Sequence, residues 1–170
     1  VDIRLATQKG AEREGRHSQP VEGDIRLLAG EHEGDVTAFI YRAKTLEIQE
    51  PIRFSSPVSE LTIDRIDDVS DELNLATGRT LLPSTINATK KIPYTIIELS
   101  IPLSVLGWNP EELPNTRADI GLLFDRDGRT VARSYWHNKS AGIVSDLPSE
   151  ASLDVGQWGP LHLQKEKDEK

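Results

Sequence analysis

Cysteine and methionine are both absent from the 170 residues, and the only histidines are His17, His32, His137 and His162. Without cysteine there is no disulfide framework and no thiolate-bound metal, although the compartment stays open because exported proteins can lack disulfides. Without methionine the usual thioether ligand of haem or copper is missing, which makes metal redox chemistry a poor fit. No stretch approaches the ~18 consecutive apolar residues of a membrane-spanning helix. The opening VDIRLATQKG alternates instead of forming a signal-peptide core, so an export signal would lie upstream. Clustered Lys and Arg are also scarce, and the formal net charge is −8. A nucleic-acid partner needs clustered cations that displace counterions, and an anionic membrane repels an acidic surface. Enzyme signatures are missing too: there is no G-x-S-x-G, P-loop, H-E-x-x-H or dinucleotide G-x-G-x-x-G. No internal repeat is visible.

What is present is an ordinary globular balance, 36% hydrophobic and 28% charged, laid out in short alternating segments. Val1 to Thr7 sets Val1, Ile3 and Leu5 against Asp2, Arg4 and Ala6, the period-2 mark of a half-buried strand. Gly23 to Ala29 and Val36 to Arg42 read as a hairpin around Gly30 to Asp35. Short extended pieces follow at Ile52 to Phe54 and around Leu61, Ile63 and Ile66. Thr77 to Lys91 carries no clear period and reads as a loop or weak strand. Pro93 to Ile101 is the clearest strand, and Pro102 then opens one helical turn stopped by Gly107. Trp108 reads as a core plug beneath a Pro-containing loop. Asp119 to Phe124 and Arg129 to Tyr135 form a hairpin joined by Asp125 to Gly128, and Trp158 to Leu163 closes the domain. Many short strands punctuated by Gly, Pro, Asn and Asp predict an all-β antiparallel sandwich or jelly roll with one or two short helical turns. The domain spans residues 1–164, and the charged KEKDEK at 165–170 is a tail or linker.

Two acidic groups invite a chemical reading. Asp64 to Glu72 (DRIDDVSDE) reads first as a solvated acidic strand end and turn. The alternative is a hard-cation site on Asp64, Asp67 and Asp68, although the run lacks the loop Gly and spacing of an EF-hand. Asp146 and Glu150 are a carboxylate pair of the kind that cleaves glycosidic bonds. The same stretch, SDLPSEA, also reads as a turn into a short helical segment with Ser149 as N-cap, so no catalytic function is expected. The aromatic signal is stronger. A sugar ring presents an apolar C–H face and a hydroxyl rim, which a flat indole and neighbouring amides and acids can match. Trp136, followed by His137 and Asn138 at the mouth of a polar loop, offers both kinds of contact, whereas Trp158, beside Gly159-Pro160 at the entry to the last strand, reads first as structural.

The pattern EGDIRLL…DVTAFIYRA…DRIDDVSDEL…IELSIPLSVLG…ADIGLLFDRDG…RSYWHNKS…SDLPSEASLDVGQWGPLHL resembles the carbohydrate-binding-module family 9-like domains of the DOMON-like superfamily. The resemblance runs along nearly the whole chain, and IELSIPLSVLG with SDLPSEASL…QWGPLHL are its most specific marks. It implies a β-sandwich module of a multidomain secreted, periplasmic or cell-surface bacterial protein. Such a module clamps a polysaccharide or oligosaccharide between two aromatics and carries structural calcium. On that likeness Trp136 and Asn138 match the late strand-to-loop contacts, Trp158 the closing Trp-Gly, and Asp146 and Glu150 the acidic loop. Because no Trp precedes position 108, the early aromatic is either missing or supplied by Tyr41, and the abrupt first strand suggests that a strand or two of the usual domain lie upstream or are absent. Two other functions stay open: a sandwich that packs against neighbouring domains without binding sugar, and a haem-binding relative.

Overall fold

A computed structural model of the chain describes residues 1–8, 19–46, 50–83, 91–113, 115–126, 129–139, 148 and 151–162. The chain is all-β, and every strand pair in it is antiparallel. The strands are β1 (Asp2–Ala6), β2 (Asp24–His32), β3 (Asp35–Arg42), β4 (Ile52–Ser55), β5 (Glu60–Ile63), β6 (Arg65–Asp68), β7 (Asn74–Pro83), β8 (Lys91–Ser100), β9 (Asn115–Arg126), β10 (Arg129–Tyr135) and β11 (Gly159–His162). One short helix, α1 (Leu103–Leu106), begins after Pro102 and stops at the left-handed Gly107, as the sequence predicts. The expected hairpin tightens to a two-residue turn, because Glu33 and Gly34 both have positive φ, 54° and 92°. That conformation matches the right-handed twist of the strands it joins.

The main sheet runs β10-β9-β1-β2-β3-β6, with β11 also paired to β9. β9 organises it. On one edge its residues Ala118 to Gly121 pair with β1. The other edge is shared end to end: β10 takes Gly121 to Arg126 and β11 takes Asn115 to Ala118. The chain therefore leaves the sheet just after Tyr135 and rejoins the same edge at Gly159, leaving a break between the two pairings opposite Asp119.

Strand alternation gives this sheet two apolar faces. On one, Leu5, Ile25, Leu27, Ala38, Ile40 and Ala118 form a core with Val69, Leu73, Leu106 and Trp108, and Leu75 and Leu99 of the β7-β8 hairpin pack onto it. Full burial of an Ile or Leu such as Ile25, Leu27 or Ile40 contributes roughly 1.5–3 kcal/mol each. On the other, Ala6, Ala43, Ile63, Leu153, Val155 and Trp158 cluster with Tyr41, Phe54 and Ile66. Trp108 is a core plug as expected, with its indole N–H donating to the Leu113 carbonyl at 3.2 Å.

Two expectations change. Of Thr77 to Lys91, read as loop or weak strand, Thr77 to Pro83 is full strand, part of β7, whose partners along β8 run from Asn74↔Ser100 to Pro83↔Lys91; residues 84–90 lie outside the described residues. β1 is not half-buried: it is a central strand, and Asp2 and Arg4 are as buried as its apolar residues. Both sides of a strand in the middle of a covered sheet lose solvent, so alternation there separates apolar from ionic core instead of core from water.

Candidate functional site

Trp136 stands where β10 ends. Its backbone N–H donates to the Ile120 carbonyl at 2.9 Å, extending the β10-β9 ladder by one residue, and its side chain is 55% exposed. The turn that follows is held in place from below. Asp119, fully buried on β9, accepts the backbone N–H of His137 at 2.9 Å and of Asn138 at 3.0 Å. The Lys139 ammonium donates to the Tyr135 carbonyl at 3.0 Å. The His137 imidazole lies against Gly159 at the start of β11, so closely that a Cβ at 159 would overlap the ring. It also tilts 46° against the Trp136 indole, with ring centroids 4.6 Å apart. The His137 Nε2 is buried with no hydrogen-bond partner among the described residues. The indole is thus presented to water on a main chain pinned on both sides, a platform that loses little conformational freedom when a ring stacks on it.

The other site residues read from the sequence distribute differently. Asn138 is buried, and its side-chain amide donates to Asp154 at 3.3 Å, so it positions the turn and does not face a ligand. Trp158 is 3% exposed, with its indole N–H donating to the Leu153 carbonyl at 3.0 Å. It fills the second core cluster with Ala6, Ala43, Ile63, Leu153 and Val155, so its structural reading holds and its place in the ligand set gives way. Tyr41 does not complete a clamp. It lies on β3, three strands from β9, and its ring packs beneath Arg26 on the side of the sheet opposite to that of Trp136. Asp146 and Glu150 lie outside the described residues.

Asp64, Asp67 and Asp68 do not converge on a cation. Asp64 accepts the Thr45 N–H, Asp67 pairs with Arg42 and Arg65, and Asp68 accepts the Ser70 hydroxyl. Adjacent positions on β6 point to opposite faces, which separates Asp67 from Asp68. Among the described residues no group of three or more His, Asp or Glu side chains is arranged for a metal. These three acids do not fit the calcium that the family resemblance implies.

The sequence reading missed an ionic cluster beneath the site. Arg26 grips Asp2 with two bonds, Nε to Oδ1 at 3.0 Å and Nη2 to Oδ2 at 2.9 Å. The Tyr135 hydroxyl donates to Asp2 at 2.5 Å and accepts from Arg4 at 3.0 Å. The guanidinium of Arg4 lies 4.7 Å from the Tyr135 ring centre and reaches the Leu153 carbonyl at 3.3 Å. Gly121, the register partner of both Asp2 and Tyr135, has no Cβ, which leaves space for the Tyr135 ring. Burial alone would raise the Asp2 carboxyl, but Arg26 and Arg4, with hydrogen bonds from Arg26 and Tyr135, hold it below its ordinary value. Burial first, and the Asp2 charge second, push the Tyr135 hydroxyl up. The only available signal was the -D-I-R-L- alternation of β1 repeated in β2, which looks the same for a solvated face.

No family model matches this chain, and no curated protein or solved structure is similar to it. A second surface feature borders Trp136: Ile120, Leu122 and Phe124 alternate along β9 and are 45%, 37% and 49% exposed. Continuing the β10 alternation places Trp136 on that same face.

Proposed function

We propose that this chain is a non-catalytic carbohydrate-binding module that stacks a polysaccharide or oligosaccharide ring on Trp136, within a larger secreted or cell-surface protein. The observation that carries the reading is an indole 55% open to water on a backbone fixed by Asp119, the β9 ladder and the His137–Gly159 contact. An exposed aromatic held this rigidly supplies an apolar face for sugar C–H groups at low entropic cost. The sequence resemblance to family 9-like modules agrees with it. The second aromatic of a clamp is not Tyr41, so Trp136 acts as a one-sided platform and binding is weak. Tethering a neighbouring domain near its substrate then provides the benefit.

The apolar row beside Trp136 favours a second reading, in which the same face packs against a neighbouring domain and binds no sugar. A glycan array followed by calorimetry on the hits separates the two. Under the first reading Trp136→Ala removes binding by about 2 kcal/mol or more, roughly 30-fold, as expected of a central aromatic contact. Sugar binding that survives Trp136→Ala, or an array with no hits at millimolar glycan, sinks it.

A further inference from the structure

A cavity of about 280 Å³ opens between the end of β3 and the start of β6, and Arg42, Lys44 and Arg65 all line it. Three cations meeting in one small cavity are unexpected in a chain of net charge −8. Arg42 and Arg65 are direct register partners across β3 and β6, and like charges directly opposite one another destabilise a strand pair.

The acids that compensate these cations lie to one side. Asp67 serves both guanidiniums: Arg42 Nε donates to it at 2.8 Å, and Arg65 Nε forms an ion pair with it at 2.9 Å. Arg42 is anchored a second time by its Nη2 bond to the Val105 carbonyl at 3.1 Å. Its Nη1 is directed toward Gly107 on the cavity wall, 3.9 Å from where a Cβ would stand. Lys44 is 3.8 Å from Asp64, whose carboxylate also takes the Thr45 N–H. Neither Asp64 nor Asp67 lines the cavity, so the neutralising charges lie behind the cations. Among the described residues, Glu22 is the one carboxylate in the wall.

We propose that this cavity binds a small ligand through a single oxyanion group, a carboxylate or a phosphate, held by Arg42, Arg65 and Lys44. Guanidinium forks match the geometry of both groups, and an anchored fork loses little freedom on binding. Glu22 repels a second negative charge, which selects against polyanions. The volume lies near the lower end for ligand sites and suits a group no larger than a sugar acid.

The test is an amide-resolved NMR titration of the chain at low ionic strength, where exposed charges are least screened. The probes are sodium acetate, glucuronate and inorganic phosphate, with glucose as neutral control. Saturable shifts at Lys44, Thr45 and Gly107 with an anion, and none with glucose, are expected. Saturation by glucuronate or acetate alone identifies a carboxylate ligand, and saturation by phosphate alone a phosphorylated one. Lys44→Ala, on a side chain 56% exposed, and Arg65→Met should each weaken binding about tenfold, the effect of losing one exposed-to-half-buried charge contact of ~1.4 kcal/mol. Trp136→Ala should leave the titration unchanged, which keeps the two sites distinguishable. Shifts that grow linearly with every anion, or saturable binding that both variants leave intact, overturn the proposal.

Discussion

Asp2 holds a position that few carboxylates occupy, fully buried between two arginines and a tyrosine hydroxyl. Replacing it with Ala leaves Arg4 and Arg26 charged and without their counterion, so Asp2→Ala should destabilise by about 3–5 kcal/mol in chemical denaturation. The same group sets an acid limit. Its folded-state value lies below the unfolded one, so its contribution is present above about pH 4 and disappears as pH falls through the folded value. Tyr135 works in the opposite sense. Its hydroxyl is raised, so its contribution is complete below about pH 10 and is lost as pH climbs past the folded value. Tm measured against pH should therefore show a plateau with both shoulders, and Tyr135→Phe should remove the alkaline one. In the core, Trp158→Ala should cost about 3–5 kcal/mol as a large truncation, whereas at the surface Trp136→Ala should change stability by less than about 0.5 kcal/mol. Trp136 was legible in the sequence as a candidate contact because it stands at the mouth of a polar loop, followed by His137 and Asn138. The structural reading of Trp158 beside Gly159-Pro160 was legible as well, but the role of Asn138 was not, because burial is a tertiary property that local pattern does not encode.

At the scale of elements, the junction of β10, β9 and β11 decides how Trp136 is presented. Gly159→Ala would drive a methyl into the His137 ring. It should weaken saccharide binding in calorimetry while an unchanged far-UV spectrum shows the sheet intact. A full loss of folded signal would instead make the glycine purely structural. Across the molecule, β3 and β6 meet with Arg42 opposite Arg65 and Asp67 between them. Asp67→Asn should loosen this edge by about 1 kcal/mol, equally with and without chelator, because the carboxylate pairs with both arginines. The hairpins, the helical turn and the closing strand could be read from alternation and from Pro and Gly punctuation. β7 could not, since Thr77 to Pro83 has no period of its own and is held as a strand by its register with β8.

For the molecule as a whole, the all-β class followed from patterning, because many short alternating runs admit few other architectures. Its topology did not. β1 pairs with β9 across more than half the chain, and nothing in either segment names the other. That wiring has a temporal consequence. The charges of β1 and β2 are covered by Tyr135 and the Leu153 carbonyl, groups that leave the ribosome long after the arginines do. Until they arrive, the early strands keep their guanidiniums in water, and no native centre can close. Such long-range closure is slow, on the order of milliseconds to seconds for all-β topologies. Stopped-flow refolding of the chain should accordingly end in a late phase in which Tyr135 and Trp158 become shielded together.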